Sequence, residues 1–289
     1  MKLISFIYQD IQRIGAVIDN MIIDSLNDDA IPDDMIAFLE AGNVAHQALQ
    51  QRIDSDYPRF ALAEVTLLAP IPRPPKFLGI GLNYADHINE TALEKPEFPM
   101  FFTKQSSCVI GNGESIHLPK VSEKLDYEGE LAVVIGQKCR HVSLEKAHEV
   151  IAGYTIVNDV TVRDWQFRTA TWTIGKSFDT HGPMGPWLIT RDEISDPHNL
   201  SLKTWVDDEL RQSSNTQHMI FNIYEMIAYL SQAMTLEVGD VISTGTPSGV
   251  GVKMKPRGYL KNGQTVTIEI EKIGTLTNNV INEPDSFIN

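Results

Sequence analysis

The residues Asp126-Tyr127-Glu128-Gly129-Glu130 lead directly into the apolar run Leu131-Ala132-Val133-Val134-Ile135. Successive side chains of a β-strand point to opposite faces, so Glu128 and Glu130 share one side. The run that follows is apolar at every position, which predicts a strand entering the core with two like charges on one buried face. Such a pair is poorly solvated and repels itself, and a divalent cation relieves both problems because hard cations take carboxylate oxygens. A solvated strand end would place the same glutamates in water, and this segment alone does not separate the two readings. A second segment shifts the balance: Ile156-Val157-Asn158-Asp159 also ends an apolar strand on a carboxylate, near enough in sequence to neighbour the first. Three carboxylates at strand ends supply half of the octahedral oxygen shell that Mg²⁺ or Mn²⁺ takes. No His or Cys gathers near either segment, which argues against zinc.

Three other segments carry side chains suited to acid–base work or to gripping an anion. In Tyr84-Ala85-Asp86-His87-Ile88-Asn89-Glu90, His87 and Glu90 stand three apart. On a helical turn that carboxylate orients the imidazole and raises its basicity, as a general base for water requires; an exposed helix pair has the same spacing. The loop-like continuation through Lys95-Pro96-Glu97-Phe98-Pro99 suits a lid. Lys176 sits among small and apolar residues in Trp172-Thr173-Ile174-Gly175-Lys176-Ser177-Phe178-Asp179. There it can pair with a substrate carboxylate or a developing enolate, although an exposed loop lysine reads the same way. Gly245-Thr246-Pro247-Ser248-Gly249-Val250-Gly251 lacks the Gly-Lys-Ser/Thr ending of a nucleotide phosphate loop. Its amides and the Thr246 hydroxyl are candidates for holding a carboxylate, with a plain turn as the alternative.

The elements that must position these groups are mostly strands. Strands are expected at 77–82, 131–135 and 240–244, a hairpin around Asp207-Asp208-Glu209, and a strand pair at 265–270 and 275–281. Asn222-Ile223-Tyr224-Glu225 reads as a capping box opening a helix to about Gln232, and 143–150 reads as a helix with Ser143 as N-cap. Upstream, strands at 2–8 and 14–18 precede helices at 35–40 and 44–52. The four prolines of 69–75 forbid helix and favour an extended boundary. The expectation is an α+β or mainly β fold: a small N-terminal domain over 1–70 and a catalytic domain over 71–289.

With 289 residues, 42% of them hydrophobic, the chain can bury a large core. Its net charge of −14, with Lys and Arg scattered, leaves no concentrated basic surface for nucleic acid. Two cysteines, Cys108 and Cys139, make no disulfide framework. No apolar run approaches the roughly 20 residues that span a bilayer, so a cytoplasmic protein without a membrane partner is expected.

Taken together, these segments resemble the fumarylacetoacetate hydrolase family over about 77–281, through separated motifs at 83–87, 127–131, 158–164, 175–179 and 245–251 in the family's order. The resemblance implies a mixed, rolled β-sheet catalytic domain, assembly as a homodimer, and Mg²⁺ or Mn²⁺ as cofactor. It implies metal ligation by Glu128, Glu130 and Asp159, and a water-activating pair in His87 and Glu90. It further implies an active-site role for Lys176 and substrate contacts from Arg163, Gln166, Lys104 and Thr246. The stretch from Arg163 to Trp187 is most similar to members acting on acylpyruvates and diketo-deoxy sugar acids, and 1–70 to the domain appended in longer bacterial members. The implied activity is hydrolysis of a carbon–carbon bond in a small 2,4-dioxo acid, giving pyruvate and a carboxylic acid. Oxaloacetate decarboxylation, or isomerisation of an unsaturated oxo diacid, on the same metal site is the alternative.

Overall fold

The apolar run after Glu130 forms the strand Gly129–Ile135, buried along its whole length. Its alternation feeds two cores: Leu131, Val133 and Ile135 join one hydrophobic cluster, while Ala132 and Val134 join another. A run that is apolar at every position is what a strand covered on both faces demands. The computed structural model describes residues 1–26, 28–55, 57–86 and 95–285.

This strand lies within a mixed sheet of 12 strands. From one edge the path is Phe60–Ala61, Met21–Asp24, Ile11–Ile18, Lys2–Tyr8, Gly182–Thr190 and Ile151–Asn158, then Gly129–Ile135, Val241–Ser243, Phe77–Gly81 and Met100–Lys104. Val241–Ser243 runs parallel to Phe77–Gly81, whereas Gly129–Ile135 is antiparallel to both of its neighbours. A second sheet of 5 strands carries the hairpin Ser201–Val206/Glu209–Asn215 and the pair Thr265–Ile270/Gly274–Asn282. Leu202, Val206, Ile268 and Leu276 of that sheet share a core with Leu131, Val133 and Ile156 of the first. Helices Met35–Ala41 and Asn43–Ile53 cover the other face, where Phe38 and Leu49 cluster with Ala132, Val134 and Leu188. Mixed sheets with few helices make this an α+β fold, as expected from the sequence.

The backbone ladder continues past the prolines of 69–75, because Lys2 and Leu3 pair with Ile189 and Leu188. The capping box at Asn222 forms, with Glu225 returning to the Asn222 amide, and opens helix Ile223–Ala233. Segment 143–150 departs from expectation. Leu144–Val150 is 3-10 rather than α-helical, and Ser143 provides no cap bond. The segment is anchored at both ends, with the His141 and Val142 amides held by Ser231 and Val150 O by Gly136 and Gln137.

Candidate active site

Strand register brings the three carboxylates together. Gly129 pairs with Asn158, and the ladder continues one residue further as the Asp159 amide donates to Glu128 O at 2.9 Å. Glu128 therefore faces Asp159 across the pair, its own amide held by Asn158 Oδ1 at 3.0 Å. Glu130 lies two residues along, on the same side as Glu128. Glu128, Glu130 and Asp159 each offer an oxygen within 4.8 Å of the others, and all three are buried. Gly129 between them allows the second sheet to approach, since a Cβ there would sit 2.3 Å from Thr204 Oγ1.

Cations surround this cluster. Lys176 Nζ lies 2.6 Å from both Glu128 Oε2 and Asp159 Oδ2. Arg163 bridges Glu128 Oε1 and Asp126 Oδ2, each at 2.7 Å, and Gln166 accepts from its Nη1 at 3.1 Å. Lys104 Nζ reaches Asp159 Oδ1 at 2.8 Å and also donates to Lys176 O. Glu130 has no such cation within contact distance among the described residues. Its Oε2 accepts from Ser243 Oγ at 2.6 Å and from the Gly245 amide at 2.8 Å. Burial, and then the charges of Asp159 and Glu128, push the Glu130 carboxyl well above the usual range. Burial opposes the Lys176 ammonium, yet the charges of Asp159 and Glu128 outweigh it and push the Lys176 pKa up.

The charge count indicates what the donor set is built for. Four buried carboxylates, Asp126, Glu128, Glu130 and Asp159, face three buried cations, Lys104, Arg163 and Lys176. One negative charge is left over, and without a cation the cluster relieves it by driving Glu130 toward protonation. An oxygen-only set with an uncompensated charge fits a hard divalent ion and does not fit zinc or copper. With such an ion bound the formal charge of the site would become positive.

The cluster opens into a cavity of about 280 Å³ lined also by Arg163, Gln166, Lys176 and Thr246. Arg163 lines the cavity, and its buried Nη2 meets no acceptor among the described residues. Ile80, Phe102, Trp172 and Val250 form apolar walls. The Thr246 hydroxyl donates to Gly129 O at 3.0 Å and accepts from Gln212 at 2.8 Å. Lys104 is not among the lining residues and sits behind Asp159. His87 and Glu90, with the front of the expected lid, lie outside the described residues. Sequence reasoning missed Asp126, which binds Arg163 and also accepts from the Gly251 and Val252 amides at 2.8 and 2.9 Å. Its position two residues before Glu128 was the available signal. Gln212 and Ser243 were missed as well, and nothing local in the sequence marks them.

The family model "Fumarylacetoacetate (FAA) hydrolase C-terminal" matches residues 76–281. The chain belongs to this family. It is 44% identical over 255 residues to the mitochondrial oxaloacetate tautomerase Fahd2a of Rattus norvegicus, covering 88% of this chain and 82% of the relative. Among solved structures it is similar to maleylpyruvate hydrolase from Sphingobium sp. SYK-6 in complex with manganese(II) and pyruvate. That match has a TM-score of 0.84 at 31% identity and covers 98% of this chain and 100% of the other. A 5-carboxymethyl-2-hydroxymuconate delta-isomerase from Mycobacterium smegmatis gives 0.79 at 34%, with 98% and 100% covered. These family members include a tautomerase, a hydrolase and an isomerase, and among the described residues no helix is long and apolar enough to cross a membrane.

Proposed function

We propose that this family member is a divalent-metal-dependent enzyme that interconverts keto and enol forms of a small 2-oxo acid of the oxaloacetate kind. The supporting observation is the buried carboxylate triad with one charge in excess, opening on a cavity that Lys176 and Arg163 also line. The higher identity to an oxaloacetate tautomerase, 44% against 31% for the maleylpyruvate hydrolase, favours tautomerisation over the other reactions of the family. In this reading Glu128, Glu130 and Asp159 hold Mg²⁺ or Mn²⁺, which when bound would polarise the 2-oxo group as a Lewis acid.

The chain's own residues do the rest. Arg163 and Gln166, which line the cavity, bind and orient the substrate carboxylate. Lys176 keeps its proton and donates to oxygen as negative charge builds there. Phe102 and Trp172 exclude water, which strengthens each of these contacts. His87, oriented by Glu90, is the proposed proton carrier between carbon and oxygen. A homodimer is part of this reading, and sedimentation as a monomer would remove it.

Hydrolysis of a 2,4-dioxo acid is the second reading, favoured by the similarity to a maleylpyruvate hydrolase and by the same His87/Glu90 pair acting on water. One assay separates the two. Enol oxaloacetate and an acylpyruvate are offered to the Mg²⁺-loaded protein while the enol absorbance and pyruvate are both followed. Accelerated loss of the enol band without pyruvate is the expected result. Pyruvate release from the acylpyruvate, with no effect on the enol band, would replace tautomerisation by hydrolysis.

A further inference from the structure

Among the charged residues lining the cavity, Glu128, Glu130, Asp159, Arg163 and Lys176 are bound up in the acidic cluster. Lys253 also lines the cavity and stands outside that network: among the described residues its ammonium has neither an ion pair nor a hydrogen bond. Its backbone is not a loose loop. Residues Gly251–Lys253 form a 3-10 turn in which the Lys253 amide donates to Val250 O at 3.0 Å. The two preceding amides are tied to buried Asp126. The carboxylate that fixes Arg163 therefore also fixes the turn carrying Lys253.

The surrounding sequence has the same sign. From Val241 to Ile268 the chain holds no Asp or Glu, yet it carries Lys253, Lys255, Arg257 and Lys261, in a protein with 38 acidic residues and a net charge of −14. Glu209, on the neighbouring hairpin, is engaged by Arg211 at 2.8 Å and does not compete. Lys253 is half-buried and lines the cavity together with the apolar Val250 and Val252.

We propose that Lys253 is a specificity-determining residue that binds a second carboxylate, at the end of the substrate away from the 2-oxo group, and so selects dicarboxylates. This rests on the reading above, in which the metal end takes the 2-oxo acid head. Arg163 and Lys176 hold one end of the substrate, Lys253 answers the other, and the apolar walls between accept the carbon chain.

Calorimetric titration of the Mg²⁺-loaded protein tests this with stable pairs matched in length: 2-oxoglutarate against 2-oxopentanoate, and 2-oxoadipate against 2-oxohexanoate. In at least one pair the diacid should bind about tenfold more tightly, as a charged hydrogen bond in a partly dry site provides. Lys253→Met should bring that ratio close to one. Lys253→Arg, which keeps the cation, should retain it, separating loss of charge from damage to the turn. Equal binding within both pairs, or a ratio that survives Lys253→Met, would overturn the proposal. Oxalate serves as a head-only ligand: if neither oxalate nor any 2-oxo acid binds, the head-site reading fails, and this proposal with it. If oxalate binds and the ratios are flat, only the role of Lys253 is lost.

Discussion

Two buried charge clusters in this chain make different use of similar residues. In the N-terminal segment, Arg13 meets Asp24 at 2.7 Å, Arg52 meets Asp28 at 3.2 Å, and Tyr57 covers the guanidinium of Arg52 with its ring 4.3 Å away. Two arginines face two aspartates, and none of them lines the cavity. At the candidate site four carboxylates face three cations, and the excess charge points into the cavity. Burial alone therefore does not mark a functional cluster. What distinguishes the second is an imbalance that the fold leaves for something else to neutralise.

The largest expected effect lies in the balanced cluster. Asp24→Asn leaves buried Arg13 without its carboxylate, while Arg52 keeps Asp28, and removing one partner of a buried pair costs about 3–5 kcal/mol. Denaturant unfolding should show a loss of that size with metal affinity intact. A loss near zero would mean that the cluster is solvated and the comparison is misdrawn. Next in size, Glu128→Ala at the unbalanced cluster should lower Mg²⁺ or Mn²⁺ affinity by at least about 10²-fold, since even residues behind the ligands are worth 10- to 100-fold. Metal titration by calorimetry checks this, and unchanged affinity would remove Glu128 from the ligand set.

His181 sharpens the comparison as a buried titratable group with no carboxylate beside it. Its Nε2 is 2.8 Å from His117 O, its Nδ1 has no partner among the described residues, and burial draws its pKa from 6.5 down to about 3. Between those values the unfolded chain binds the proton and the native protein does not, so stability falls as pH falls below 6.5. The loss attributable to His181 is about 2 kcal/mol at about pH 5. Unfolding of the parent and His181→Gln at both pH values reads it out. An equal acid loss in both would show that His181 does not control it.

How far the sequence revealed the site depends on which forces placed each residue. Glu128, Glu130 and Asp159 were legible because alternation and register are local properties of two neighbouring strands. Asp126 continues the same alternation, but its partners Gly251 and Val252 come from more than a hundred residues away, so its role had no local signature. Gln212 reaches Thr246 and the Gly129 amide only because the second sheet packs on the first at a residue without a Cβ. The N-terminal segment read correctly as strands followed by helices. That Lys2 and Leu3 extend the sheet that holds Gly182–Thr190 depends on a pairing nearly two hundred residues distant, which no periodicity reports.

The smallest effect tests the imbalance most directly. Glu130→Gln keeps an oxygen for Ser243 and Gly245 while removing the charge that Asp159 and Glu128 oppose. In metal-free protein the substitution should stabilise the fold by about 1 kcal/mol, as neutral replacement of a buried, unmatched charge commonly does. With metal present the sign should reverse, because the parent gains binding energy that the variant has lost. Melting curves of both proteins, with and without saturating Mg²⁺, give the four values needed. A crossing of the two orders is the signature of a cluster built around an ion, whereas destabilisation in both conditions would make Glu130 an ordinary structural carboxylate like Asp24.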